Sequence, residues 1–542
     1  MNSKPLKIAI SLFLSILLLL LPLSVSADEA ADFSEDLTRY PIVRVHGAGW
    51  ALYNHYGADD QEQVYPVNEP DGYIMEKAKE LLPLLGKAMI TNDYAEYSEG
   101  LVNAIIPIYA KFIPDENGDI QNGPSIPPRP EVTDLRGSDG KYSIDDYYSF
   151  DVDWRLGPVV QGQQLAEFID LVLDATGAEK VNLISRCESS SAVLVYLADH
   201  GADKVSSVIF ESSMLFGSVQ ASDAFSGELK VDADMLNRFI ARELGNAEDG
   251  GIRADFLSDA YTLELLKTTV SLLCTNGTVD VLGKILMKVY ANVKDTVLPG
   301  IMMNSYGRLL SYWALVDNAH YEKARDLMLS DPKWDTFRER TDDYHYNYQI
   351  RTREILEDCR DDGACFMVIS KYGLEMMPLL EESKELNDNS IATRDSSFGA
   401  TCAKVDGFLS DEYIAAAKAN GTDRYISADR KVDASTCVFP DTTWIIKNCP
   451  HGVINGVEEL MTAMELRFLK SGGALTIYSD PDLPQFMILD QEARTLSPLT
   501  EENALSTETV YPDNFFKALC AFLKAFFRFM KNAIATSIAK SE

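Results

Sequence analysis

The sequence predicts an α/β fold with a mainly parallel sheet, an inserted helical cap and a C-terminal amphipathic helix. Three observations predict it. Short β-branched runs such as VNLI (181–184) and VSSVIF (205–210) alternate with amphipathic stretches, the pattern of strand–helix–strand units. From about residue 222 to 355 clear strands stop, and the chain becomes helical, rich in Leu, Met, Tyr and charge. Beyond it, CFMVIS (365–370) and TWIIK (443–447) read as strands returning to the same sheet. A composition of 46% hydrophobic and 24% charged residues over 542 positions suits a packed core.

At the N-terminus, Lys4 and Lys7 precede an uncharged apolar run, Ile8 to Leu23, and Val25-Ser26-Ala27 offers a small-residue cleavage site. That order reads as a secretory signal, with an uncleaved membrane anchor as the alternative. Residues 1–27 are therefore set apart, and the mature chain is expected to be secreted or held at the cell envelope. The first part of the core spans 28–221. It contains PIVRVHG (41–47), a short buried strand ending in a turn, then a mixed region, 57–145, with a Pro-rich surface stretch at Pro124 to Pro130. YYSFDVDWR (147–155) alternates and is aromatic-rich, as a strand is. In Gln161 to Ala175, Leu165, Phe168, Ile169, Val172 and Leu173 fall at helical spacing. The cap occupies 222–355. The second part of the core spans 356–505, with Thr443 to Lys447 as its last strand.

The tail, 506–542, is different. In 514–540, Lys517, Lys524, Arg528 and Lys531 share one helical face, while Phe515, Phe516, Leu519, Phe522, Phe526 and Phe527 crowd the rest. Such a helix lies on an anionic membrane surface or docks in a groove of its own domain. Recurring charges argue against a membrane span.

A net charge of -34 repels phosphate backbones and argues against a nucleic-acid partner. The eight cysteines of an exported chain permit disulfides. Cys359–Cys365, around RDDGA, and Cys402–Cys437 are the candidate pairs. No C-x-x-C occurs and the six histidines are scattered, so neither a metal site nor a cofactor is expected. The sequons at Asn276 and Asn420 matter only in a host that glycosylates.

The chemistry centres on the junction of strand and helix at 185–189. Ser185-Arg186-Cys187-Glu188-Ser189 stands where a nucleophile elbow reads G-x-S-x-G. The strand VNLI, one small residue and one more place Cys187 at the tip of the turn. A cysteine is a competent nucleophile there. It is already partly thiolate near neutral pH, and a helix N-terminus, a histidine and Arg186 favour the anion, against Glu188.

Five segments together resemble secreted lipases of the α/β-hydrolase superfamily, in the branch of lecithin:cholesterol-acyltransferase-like and bacterial triacylglycerol lipases. They are PIVRVHGAGW (41–50), FDVDWRLGP (150–158), TGAEKVNLISRCESSS (176–191), SADRKVDASTC (427–437) and WIIKNCPHGVIN (444–455). In order and spacing they cover most of residues 40–470. The resemblance implies an α/β-hydrolase fold and a triad of Cys187 as nucleophile, Asp429 as acid and His451 as base, with Asp433 the main rival to Asp429. It also implies an oxyanion hole from the backbone N–H groups of Ala48 and Glu188. The departures are the cysteine for serine, the two elbow serines for glycine, Arg186 for a histidine, and Arg430 for the acid-loop glycine. A Cys-His-Asp triad at this place also resembles that of dienelactone hydrolases.

Two functions follow as expectations. One is a hydrolase or acyltransferase acting on a small-molecule ester or lipid. The other is a catalytically inactive homologue that binds a lipid, a glycan or a protein. The tail adds a membrane surface as a partner.

Overall fold

A computed structural model describes residues 37–46, 51–66, 73–120, 123–138, 140–144, 146–243, 260–452, 457–506 and 511–539. The signal-sequence reading of 1–27 and the turn at Gly47 and Ala48 lie outside them.

Eight strands form the central sheet: β1 (Ile42–Val45), β2 (Tyr148–Phe150), β3 (Val181–Arg186), β4 (Val205–Glu211), β5 (Cys365–Tyr372), β6 (Thr443–Lys447), β7 (Phe486–Asp490) and β8 (Thr495–Pro498). Their spatial order is β2-β1-β3-β4-β5-β6-β7-β8. All neighbours run parallel except the β7–β8 pair at one edge. This is an α/β fold with a mostly parallel sheet, consistent with an α/β-hydrolase-like core. Thr443 to Lys447 is not the last strand: β7 extends the sheet and β8 turns back along it. TLSP (495–498) is mostly exposed at an edge, so it lacks the apolar run that marks a buried strand.

Burial on both faces explains why the central strands are almost continuously apolar. Leu183, Val208, Phe210, Phe366 and Val368 pack into one core. Their neighbours Ile184, Ile209, Met367 and Ile369 pack into the other. The alternation is the period of two that sends successive side chains to opposite faces. Helices cover both sides. Two helices, α1 (Tyr73–Thr91) and α2 (Ala95–Tyr109), fill part of the region that reads as mixed. Each contains a proline, Pro83 and Pro107, which blurs its helical signature. The predicted helix at 161–175 is α3 (Pro158–Thr176), and α4 (Ser190–His200) follows the elbow. α3 and α4 approach so closely that a Cβ on Gly162 would lie 2.6 Å from Val195.

Between β4 and β5 the chain leaves the sheet. The helical insertion includes α5 (Val219–Ser226), α6 (Ala260–Thr275), α7 (Thr278–Met302) and α8 (Tyr321–Met328). After β6, α9 (Glu458–Lys470) covers the sheet.

The tail forms α10 (Phe515–Ala539). It docks on α6, with Ala518 and Ala525 fully buried and Arg528 paired to Glu264 at 2.8 Å. Phe516 and Phe527 stay 76% and 67% exposed. Among the described residues no single helix is long and apolar enough to cross a membrane.

The eight cysteines are free thiols, contrary to the two expected staples. Cys359 packs into one core, its Sγ 3.8 Å from the Leu197 carbonyl. Cys365 packs against the other, its Sγ 3.7 Å from the Gly472 carbonyl. Sequence nearness misleads here because the sheet separates the two. Cys402 and Cys437 do approach each other, and burial first, then Cys437, raises the Cys402 pKa.

Candidate active site

The carboxyl ends of β1, β3, β4, β5 and β6 lie along one edge of the sheet. Parallel α/β sheets bind ligands at such an edge. β3 ends at Arg186, and Cys187 follows with φ at 59°. A cysteine in the left-handed region costs on the order of 1–3 kcal/mol. Here that backbone turns the thiol up from the strand end, immediately before α4.

The two elbow serines are accommodated by hydrogen bonds. Ser185 is fully buried, with its Oγ 3.3 Å from Ser189 Oγ. Ser189 Oγ lies 2.7 Å from the Val45 carbonyl and 2.8 Å from the Arg186 carbonyl, and it accepts from the Arg186 N–H at 3.3 Å. A hydroxyl therefore ties the elbow to the end of the neighbouring strand, where a glycine would only leave room. Ser190 Oγ donates to the Cys187 carbonyl at 2.6 Å.

Arg186, in the place of the expected histidine, is committed to an ion pair. Its Nε donates to Glu211 Oε2 at 2.7 Å, and Lys371 Nζ donates to Glu211 Oε1 at 2.6 Å. Burial alone raises the pKa of Glu211, but Arg186 and Lys371 outweigh it and hold the carboxyl near 2. This charge cluster sits under the elbow and joins β3, β4 and β5.

His451 follows β6, and its ring meets Asp388 in the loop after β5. His451 Nδ1 is 3.0 Å from Asp388 Oδ2, and the His451 N–H donates to the Asp388 carbonyl at 2.9 Å. The second carboxylate oxygen of Asp388 accepts the N–H groups of Ser390 and Ile391, at 3.0 and 2.7 Å. With Nδ1 engaged, Nε2 is left for Cys187, whose side chain is within hydrogen-bonding reach of the ring. Burial lowers the pKa of His451, but Cys187 and Asp388, by charge and hydrogen bond, raise it to about 10.

Cys187 and His451 are thus brought together. Asp429 is not. Its carboxylate accepts from Lys447 Nζ at 3.0 Å, from Tyr372 Oη at 2.9 Å and from Ser427 Oγ at 2.7 Å. The acid against the histidine is Asp388, and the assignment of Asp429 is corrected accordingly. Asp433, the rival, caps a short turn through Ser435 N and accepts from Tyr413 Oη. Arg430, in the place of the acid-loop glycine, adopts φ of 59°, and its N–H donates to the Ser427 carbonyl at 2.8 Å, which closes a tight turn. The overlooked signal is Asn387-Asp388-Asn389-Ser390, a cluster of turn-forming residues soon after β5.

Glu188 is buried directly after Cys187, and its backbone N–H lies at the start of the short helical turn of residues 187–189. Ala48, the other expected oxyanion donor, lies outside the described residues. Around the thiol the surface is apolar: Cys187 packs against the cluster of Met214, Leu315 and Ile391, as do Ala221 and Tyr312. The Cys187 Sγ is 3.8 Å from Met214 Sδ.

No protein-family model matches the chain, and no curated protein matches it.

Proposed function

We propose that the chain is a secreted, α/β-hydrolase-type thiol esterase or acyltransferase that acts on a lipid-like ester through Cys187, His451 and Asp388. The observation that carries this reading is the junction at Cys187. A residue in left-handed backbone at the end of a central strand faces a histidine whose far nitrogen is held by a carboxylate. Those three roles, in the chain order nucleophile, acid and histidine, are what acyl transfer on this architecture needs.

In the first half-reaction the Cys187 sulfur attacks the ester carbonyl, and its proton resides on His451 Nε2. The oxyanion forms against the N–H of Glu188. The C–O bond then breaks, and the alcohol leaves with the proton from His451. In the second half-reaction a water or alcohol attacks the thioester, passes its proton to His451, and Cys187 leaves as the thiol. Asp388 keeps the imidazole aligned and offsets its positive charge.

The apolar residues around Cys187 support an acyl chain as the substrate's main handle. The exposed phenylalanines of α10 support work at a lipid surface, with Lys524 among the exposed cations of that helix. A panel of p-nitrophenyl esters of graded chain length tests the reading, with Cys187→Ala and His451→Ala as controls. Turnover that is lost in both variants is the expected result. Turnover equal to wild type in Cys187→Ala overturns it.

A second reading, a binding protein without turnover, is favoured by the packing of Met214 on the thiol, its Sδ 3.8 Å from Cys187 Sγ. Alkylation decides between them. A Cys187 that labels with iodoacetamide in wild type, and more slowly in His451→Ala, belongs to a working thiol–imidazole pair. A Cys187 that resists labelling in the folded chain, with no ester turned over, belongs to a binder.

A further inference from the structure

Away from the triad, three side chains of metal-ligand type converge at the base of the cap. Asp223 lies on α5, Glu228 directly follows Gly227 at the end of that helix, and His320 precedes α8. One ligand atom of each lies within 4.8 Å of the other two. His320 Nε2 is 2.9 Å from Glu228 Oε2 and 3.9 Å from Asp223 Oδ1.

Two further features distinguish this group from an ordinary acidic cluster. The first is Asp223. It is fully buried, and its Oδ2 accepts the Glu382 N–H at 3.0 Å, while its Oδ1 has no hydrogen-bond partner. A buried carboxylate oxygen aimed at a histidine without a bond of its own calls for a cation. The second is the far side of the ring. His320 Nδ1 is 2.7 Å from Asp317 Oδ1, which also accepts the N–H groups of Ala319 and His320 at 2.9 Å each. An anchored carboxylate on Nδ1 orients the ring and turns Nε2 toward Glu228 and Asp223, the usual outer arrangement of a metal-bound histidine.

We propose that Asp223, Glu228 and His320 bind a divalent transition metal, zinc in the first instance, with Asp317 as the positioning residue for His320. The donor set, one imidazole and two carboxylates, suits zinc. Tetrahedral bonds of about 2.0–2.1 Å set ligand atoms about 3.3 Å apart, and the separations of 2.9 and 3.9 Å straddle that value. Charge balances as well. Once the metal displaces the proton on Nε2, three carboxylates and the Lys323 ammonium on Glu228 leave two negative charges beside the neutral imidazole, which a divalent ion cancels. The metal would clamp α5 to the start of α8. Ala221 of α5 packs in the cluster around Cys187, so the clamp would fix one wall of the site independently of the triad.

A proton is the competitor. The hydrogen bond that His320 Nδ1 donates to Asp317, opposed by burial and reinforced by the Asp317, Glu228 and Asp223 charges, raises His320 to about 9. The experiment is therefore run at mildly alkaline pH. Untagged full-length mature chain is stripped with a chelator and titrated with Zn2+ against a chromogenic zinc indicator, and in parallel with Co2+. The expected result is one equivalent bound, with the visible bands of tetrahedral cobalt. Affinity should fall at least tenfold in His320→Gln and in Glu228→Gln, and about 10- to 100-fold in Asp317→Asn. Cys187→Ala should bind as wild type. Glu228 is partly exposed, so its variant keeps the test open if His320→Gln fails to fold. No saturable equivalent, or one unchanged in the folded Glu228→Gln and Asp317→Asn variants, overturns the proposal.

Discussion

Two buried aspartates, Asp388 and Asp429, sit beyond the carboxyl edge of the same sheet, and they do different work. Asp388 faces a histidine and holds it in two places, side chain and backbone. Asp429 faces Lys447, with both side chains under 10% exposed, and its remaining capacity goes to Tyr372, Ser427 and Lys431 N. The partner, not the motif, assigns the role. An aspartate against an imidazole can support a proton shuttle. An aspartate against a lysine ammonium fixes the end of β6 and the loop before it.

The comparison breaks most sharply in a pair of conservative variants. Asp388→Asn should leave the fold close to wild type and lower esterase turnover by about 10²- to 10⁴-fold, because the imidazole loses its orienting anion. Asp429→Asn should do the reverse. It leaves the Lys447 ammonium buried without its counter-charge, a loss of about 3–5 kcal/mol, and it should show as a lowered denaturation midpoint with turnover per folded molecule retained. If Asp429→Asn abolished turnover at full stability while Asp388→Asn kept it, the roles drawn here would be exchanged.

A smaller effect sharpens the same contrast at the ring itself. His451 has a raised pKa in the fold, about 10, against an unfolded value of about 6.5. The imidazolium thus contributes stability that is complete below about pH 6.5 and is lost as pH rises toward about 10. Histidine NMR titration should show His451 protonated well above neutrality in wild type. It should shift down in Asp388→Asn and in Cys187→Ala, since each removes one of the groups that raise it. A titration midpoint unchanged by either variant would separate His451 from both.

These contrasts show where the sequence is readable. The β-branched runs of β1, β3, β4 and β5 are legible because burial on both faces demands them, and the elbow is legible because its strand sets the frame. The place of His451 beside Cys187 is legible because it closely follows β6. The carboxylate that meets it is not, because its loop has no fixed spacing: Asp388 comes 16 residues after β5, and its pairing with His451 in place of Asp429 depends on how that loop folds. Helices α1 and α2 are hidden by their internal prolines. The cluster of Asp223, Glu228 and His320 is hidden by distance along the chain, since about ninety residues of cap separate its members. What local spacing encodes can be read directly, whereas what only the tertiary fold assembles cannot.

The smallest expected effect concerns the residue that most departs from the elbow pattern. If Ser189 merely tolerates a glycine's place, Ser189→Gly should stabilise the chain. The geometry says otherwise. Ser189 has φ of -59°, which needs no glycine, and its one hydroxyl hydrogen is shared by the Val45 and Arg186 carbonyls, 2.7 and 2.8 Å away. Ser189→Ala removes that bridge and leaves buried carbonyls with one partner fewer, about 1–2 kcal/mol. Ser189→Gly loses the same bridge and adds about 0.5–1 kcal/mol of backbone entropy at the start of α4. The order of stability by urea denaturation should therefore be wild type, then Ser189→Ala, then Ser189→Gly. A glycine variant more stable than wild type would mean that the hydroxyl strains the elbow instead of tying it to β1, and that the serine is held there by function against stability.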